Sequence, residues 1–159
     1  MHAISMLIVS IIVLWTGNAL AEVSVELAAS GSGDVIASLS GGSEGGRVVV
    51  PVGTIVSGGD ISQQDLVLGQ PVDVNLAPHE RREVTVPAFC IHSSRGVPEP
   101  GLQMREVERA DPTLVRLLSV QGQYPHLMQS AVWSYLDGYA PDDQARKVFL
   151  MAGVVPKTG

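Results

Sequence analysis

Basic residues, aromatic side chains and cysteine are all scarce in this 159-residue chain. Ten Lys and Arg stand against 16 Asp and Glu, for a formal net charge of −6 and a pI near 5.0. A surface of that sign lacks the basic footprint that phosphate backbones and anionic lipid surfaces require, which excludes nucleic acid as a partner. Only two lysines occur, Lys147 and Lys157. The single cysteine, Cys90, excludes an intramolecular disulfide. With one Cys and scattered His there is no paired ligand spacing of the kind a zinc site uses. Aromatic residues make up 4% of the chain, so the few present must fill a large share of any core.

Apolar runs are also few. The one long run, Ile4 to Trp15, is broken only by Ser5 and Ser10 and is followed by Ala19-Leu20-Ala21. A run of about a dozen residues falls short of the roughly 20 needed to span a bilayer as a helix, and small residues after it suit signal peptidase. Residues 1–21 are therefore read as a signal peptide. The mature chain, starting near Glu22, is expected in the cell envelope or secreted, with no stable membrane insertion after cleavage. It carries every charged residue and has the length of one domain.

Glycine and β-branched residues are plentiful where the mature part begins. Residues 22–101 read as an antiparallel β-sandwich: Val23–Leu27, Val35–Leu39, Leu66–Leu68, Val72–Leu76, Arg82–Val86 and Ala88–His92 are short strands divided by turn residues. Arg47–Val50 is continued through a kink at Pro51 as far as Val56. Gly41–Gly46 reads as an exposed hairpin loop. Residues 102–154 read as the helical region of the same domain. Asp111-Pro112 starts a first helix that stops by Gly122, a second runs from Pro125 to Leu136, and a third from Pro141 to Ala152. Residues 155–159 form a frayed tail. The fold class expected is α+β, a β-sandwich followed by about three helices.

A lone cysteine in an exported chain calls for an account. Phe89-Cys90-Ile91 suits a buried, inert thiol, because free cysteine packs as a small hydrophobe. A second segment, Gln129-Ser130-Ala131-Val132-Trp133, opens another account. An aromatic-Cys-Ile strand with a later Gln-x-Ala-aliphatic-Trp helix resembles the thioester domains of bacterial surface proteins. Pro51-Val52-Gly53-Thr54 and Gln63-Gln64-Asp65-Leu66-Val67 are similar to segments of exported bacterial β-domains that end in the same Cys strand. The resemblance implies that Cys90 supplies the thiol and Gln129 the acyl group of an internal side-chain bond, with Ala131 and Trp133 fixing the helix register. His126, three residues before Gln129, and His92, two after Cys90, are candidate proton acceptors. Trp133 and Phe89 are expected to pack together and lock helix to sheet.

Two further classes use the same inventory. A Cys-His hydrolase would draw on Cys90, His92 or His126, and Asp137 or Asn75, though no protease signature surrounds the cysteine. A copper site would draw on His79, Cys90, His92 and Met104. The reading carried forward is a non-enzymatic domain, without cofactor or metal, that attaches to amines on a protein or glycan surface. Its rival is a structural or binding β-domain with an inert Cys90. On the export reading, N-terminal sequencing of protein recovered from its native host should begin near Glu22. An intact Met1 in the membrane fraction would indicate an anchor instead.

Overall fold

The structure is a computed structural model that describes residues 23–156. The signal-peptide segment, 1–21, lies outside the described residues, as does the end of the expected tail, 157–159. Nine strands come first: β1 (Ser24–Ala29), β2 (Val35–Ser40), β3 (Gly46–Val50), β4 (Thr54–Ser57), β5 (Leu66–Leu68), β6 (Val72–Leu76), β7 (Arg81–Val86), β8 (Ala88–Cys90) and β9 (Gln103–Arg109). Three helices follow, α1 (Pro112–Leu118), α2 (Pro125–Asp137) and α3 (Asp143–Ala152). Seven strands form one sheet in the order β7-β2-β1-β9-β4-β5-β8, and β3 pairs with β6 in a second, two-stranded sheet. All the strand pairings are antiparallel. The fold is α+β, a β-sandwich with three C-terminal helices.

Two strand assignments differ from the sequence reading, and the Gly41–Gly46 loop is not a hairpin, since β2 pairs with β1 and β7 while β3 pairs with β6 in the other sheet. The stretch assigned wholly to the helical region begins with β9, which lies inside the large sheet between β1 and β4. Its sequence, Gln-Met-Arg-Glu-Val-Glu-Arg, hides this. Met104 is the one buried side chain, and the rest of the strand is exposed or half-buried, so little apolar alternation remains to be read. The second difference concerns the apolar run from Val48 to Val56. It is not one kinked strand: β3 pairs with β6, whereas β4 pairs with β5 and β9. The chain changes sheets at Pro51-Val52-Gly53.

Period-two alternation in strands distributes side chains over two cores. Leu27, Val35, Leu39, Val50, Val56, Leu66, Leu68, Val72 and Cys90 belong to the core between the two sheets. Ile55, Val67, Phe89 and Ile91 point the other way and pack against Leu114, Leu117, Met128, Val132 and Phe149 of the helices. Several helix ends match their sequence signals, but α1 stops at Leu118, short of Gly122, and α3 starts at Asp143 instead of Pro141. Asp111 caps α1 by accepting from the Thr113 and Leu114 N–H groups, with Pro112 in the first turn. Asp142 caps α3 through the Ala145 N–H. Gly138 and Gly153 take left-handed conformations at the ends of α2 and α3. The second helix has no side-chain cap of its own. It is held instead by its neighbours' capping residues: the Tyr135 hydroxyl donates to Asp111 at 2.9 Å, and the Ser130 hydroxyl to Asp142 at 3.1 Å. These two contacts fix the axial position of α2.

Gly53 is the joint at the sheet change. Its φ is +77°, its N–H donates to Leu68 O at 2.8 Å, and its carbonyl accepts from Ala110 N–H at 2.7 Å. A Cβ there would stand 2.7 Å from Val115 Cγ2. Gly53→Ala therefore adds left-handed strain to a clash and should cost about 1–3 kcal/mol. Chemical denaturation checks this; a loss below about 0.5 kcal/mol, ordinary for surface changes, would show that the joint relaxes freely.

Candidate functional site

The short edge strand β8 follows directly from its sequence. Pro87 lacks an N–H, and Phe89 and Ile91 are drawn to the helix side of the sheet while Ala88 and Cys90 face the opposite core. Gly69 N–H donates to Pro87 O and Ile91 N–H to Asp65 O, so the odd-numbered residues bond towards β5. Antiparallel alternation then turns the N–H and C=O of Ala88 and Cys90 outward, away from the sheet.

At Cys90 that outward pair is met by α2. The Cys90 N–H donates to Gln129 Oε1 at 2.9 Å, and Gln129 Nε2 donates to Cys90 O at 2.7 Å. One carboxamide thus serves both backbone hydrogen-bonding groups of one residue, in the way a further strand would. Gln129 turns inward from its helix, although an amphipathic helix ordinarily sends glutamine to solvent. Trp133, one turn further along the same face, is half-buried against the inter-sheet core, and its indole N–H is buried without a hydrogen-bond partner among the described residues. Cys90 is itself buried, and burial pushes its thiol above the ordinary value, partly offset by a backbone hydrogen bond.

The remaining candidates are arranged differently from the sequence expectation. Trp133 and Phe89 do not share a core: Phe89 packs with the helices and Trp133 with the inter-sheet residues, since α2 reaches past the β8 edge. The strand ends at Cys90, so alternation no longer governs His92. Its N–H donates to Gln64 Oε1 at 2.7 Å, and its ring Nε2 lies 3.2 Å from Asp65 Oδ2. His126 stands exposed in the first turn of α2. Of the hydrolase and copper groupings, no set of three or more His, Cys, Asp or Glu side chains is placed to hold a metal among the described residues. No helix among them is long and apolar enough to cross a membrane.

Two glutamines that carry weight here were not singled out individually in the sequence. Gln64 is buried and grips the turn after β8: its Nε2 donates to His92 O and to Arg95 O, the latter at 2.7 Å. Gln121, also buried, donates to Gly69 O at 2.6 Å. The available signal was a polar residue two positions before the apolar strand Leu66-Val67-Leu68, and another directly after Val120 in the turn that follows α1. Comparison with protein-family models, curated proteins and solved structures finds no match for this chain.

The double hydrogen bond makes a quantitative demand. In a Cys90→Ala background, where no side-chain bond can form, the further change Gln129→Ala strips the partners from both the N–H and the C=O of residue 90. Each unsatisfied group costs about 1–3 kcal/mol, so a loss of at least about 2 kcal/mol is expected in urea unfolding. A loss under about 0.5 kcal/mol would mean that water replaces the carboxamide freely.

Proposed function

We propose that this chain is an exported attachment domain in which Cys90 and Gln129 condense to an internal thioester, later opened by an amine on a partner surface. The observation that carries this reading is the carboxamide of Gln129 bonded to both the N–H and the C=O of Cys90, at 2.9 and 2.7 Å. Those two bonds hold the carboxamide beside the backbone of the residue that carries the thiol. Sulfur attacks Cδ, the Cys90 N–H holds the oxyanion that develops on Oε1, and ammonia departs from the Nε2 position with the thiol proton. Preorganised backbone donors of this kind stabilise tetrahedral intermediates.

Proximity offsets the poor electrophilicity of an amide. Intramolecular placement is worth roughly 7–11 kcal/mol. Formation need occur only once per molecule, and a rate on the order of 10⁻⁴ s⁻¹ corresponds to a barrier of about 23 kcal/mol. Opening by an amine then forms an amide at Cδ and returns the proton to the thiol. Such a domain turns over nothing and is not an enzyme. A target amine on a protein or glycan surface, cationic when protonated, suits a chain with a net charge of −6.

The rival reading has its own observation. Both hydrogen-bonding functions of Gln129 are already used on the backbone, which is a complete structural role for the residue, and the thiol beside it is buried and hard to ionise. Intact mass separates the two. The attachment reading expects a protein lighter than its sequence by one ammonia, a gain of one methylamine on treatment, and full mass in Cys90→Ala and in Gln129→Ala. Full mass in the unaltered chain, with a thiol that labels only on unfolding, would establish the structural role. The attacking species is the thiolate, and burial holds Cys90 above its ordinary range. Bond formation on refolding should therefore accelerate about tenfold per pH unit and keep rising beyond about pH 8.5, the ordinary thiol value. A plateau at or below that pH would contradict a buried attacking thiol.

A further inference from the structure

The two edge strands of the large sheet are finished differently. β8 is buried and met by Gln129 of α2, whereas β7, at the opposite edge, is exposed along most of its length. Gly41 N–H donates to Glu80 O at 2.8 Å, which fixes the hydrogen-bond alternation along the β2–β7 pairing. Arg82, Val84 and Val86 therefore bond towards β2, and the N–H and C=O of Arg81, Glu83 and Thr85 turn outward in the plane of the sheet. All three of these residues are exposed, and no turn or loop among the described residues hydrogen-bonds to their backbone. We infer that this edge docks a second copy of the chain, β7 pairing antiparallel with β7 about a twofold axis at Arg82 and joining the two large sheets edge to edge.

Charged side chains on an edge ordinarily discourage pairing. Here they are self-complementary and select a register. Val84 and Val86 pack on the inter-sheet core, so Arg81, Glu83 and Thr85 carry their side chains on the solvent face. With the axis at Arg82, Arg81 of each copy stands directly opposite Glu83 of the other, at a Cβ separation of about 5 Å, where opposite charges attract and like charges repel. Arg81 and Glu83 then exchange N–H···O=C bonds in both directions. An axis at Arg81 or at Glu83 would set like charges against each other, and one at Val84 would oppose Arg81 to Pro87 and Glu83 to Thr85. The two Arg82 side chains meet at the axis on the other face, each already paired with Glu80 of its own copy. A charge of −6 on each copy opposes approach, and a single strand pair is a small contact, so the dimer falls in the weak class, below about 1,200 Å². The pairing does not depend on the attachment reading; if that reading holds, the dimer carries its two β8 edges, and both Cys90–Gln129 sites, at its far ends.

Sedimentation velocity on the full chain, over roughly 10 µM to 1 mM as a weak complex requires, should show a reversible monomer–dimer equilibrium. Arg81→Glu alone and Glu83→Arg alone should each weaken the dimer about tenfold or more, since each sets like charges opposite one another in both cross-strand pairs. Mixed in equal amounts, the two variants should associate with each other, and the double variant Arg81→Glu with Glu83→Arg should dimerise like the unaltered chain, because both arrangements restore the opposite-charge pairs. Glu83→Pro removes an N–H that bonds to nothing within its own sheet, so it should abolish the dimer while the β2–β7 pairing survives, as circular dichroism and the urea midpoint would show. The charge variants test the pairing even if that proline disrupts folding. A monomer throughout the concentration range overturns the proposal. A dimer weakened by the single charge variants but not restored by mixing them overturns the Arg82 register and the proposal with it. A dimer indifferent to every β7 variant also overturns it, and its loss in Leu150→Glu would place the interface on α3, where Leu150 is exposed.

Discussion

A strand that ends a sheet under a packed helix has peptide groups that neither water nor another strand reaches. At Cys90 this requirement is met by a single carboxamide, and the placement of α2 follows from it. The helix must stand at the height where Gln129 Oε1 and Nε2 meet the Cys90 N–H and C=O. The aspartate caps of the flanking helices hold it there through Tyr135 and Ser130. The same device recurs where Gln121 meets Gly69 and where Gln64 closes the turn after β8. Because leaving a buried group unpaired costs more than pairing it gains, these glutamines act chiefly by excluding other arrangements.

Under the attachment reading the same contact also bears on stability. A Cys90–Gln129 bond would join positions 39 residues apart. In the chain-entropy account used for disulfides, closing a loop of that size contributes about 4 kcal/mol. Opening by an amine would remove this contribution while leaving the hydrogen-bonding groups of the Cys90 peptide beside a new secondary amide, which still carries one N–H and one C=O.

Much of the fold is legible in the sequence because its signals are local. Asp111-Pro112 and Gly138 mark helix ends by their backbone requirements, and the structure places them there. Strands with one buried face, such as β2, show their alternation openly. What escapes is non-local. β9 is recognised as a strand only by its partners β1 and β4, since its side chains are mostly charged. The sheet change at Gly53 depends on which strands β3 and β4 pair with, which an apolar run cannot specify. At the site, the residue types at Cys90 and Gln129 could be read, but not that the carboxamide would engage the backbone of Cys90. Nor could the turn of His92 towards Asp65, which depends on where β8 ends.

The late position of β9 in the chain has a consequence for timing. The large sheet lacks an inner strand until the chain as far as Arg109 is available, since β9 separates β1 from β4. Pairings between distant segments form slowly because loop closure precedes their reward. The helices come after β9, and α2 has its seat only when β8 is in place beside β5 and Asp111 and Asp142 have begun their helices. Cys90 precedes Gln129 by 39 residues, so a chain growing from its N-terminus carries the thiol before the carboxamide that meets its backbone has been added.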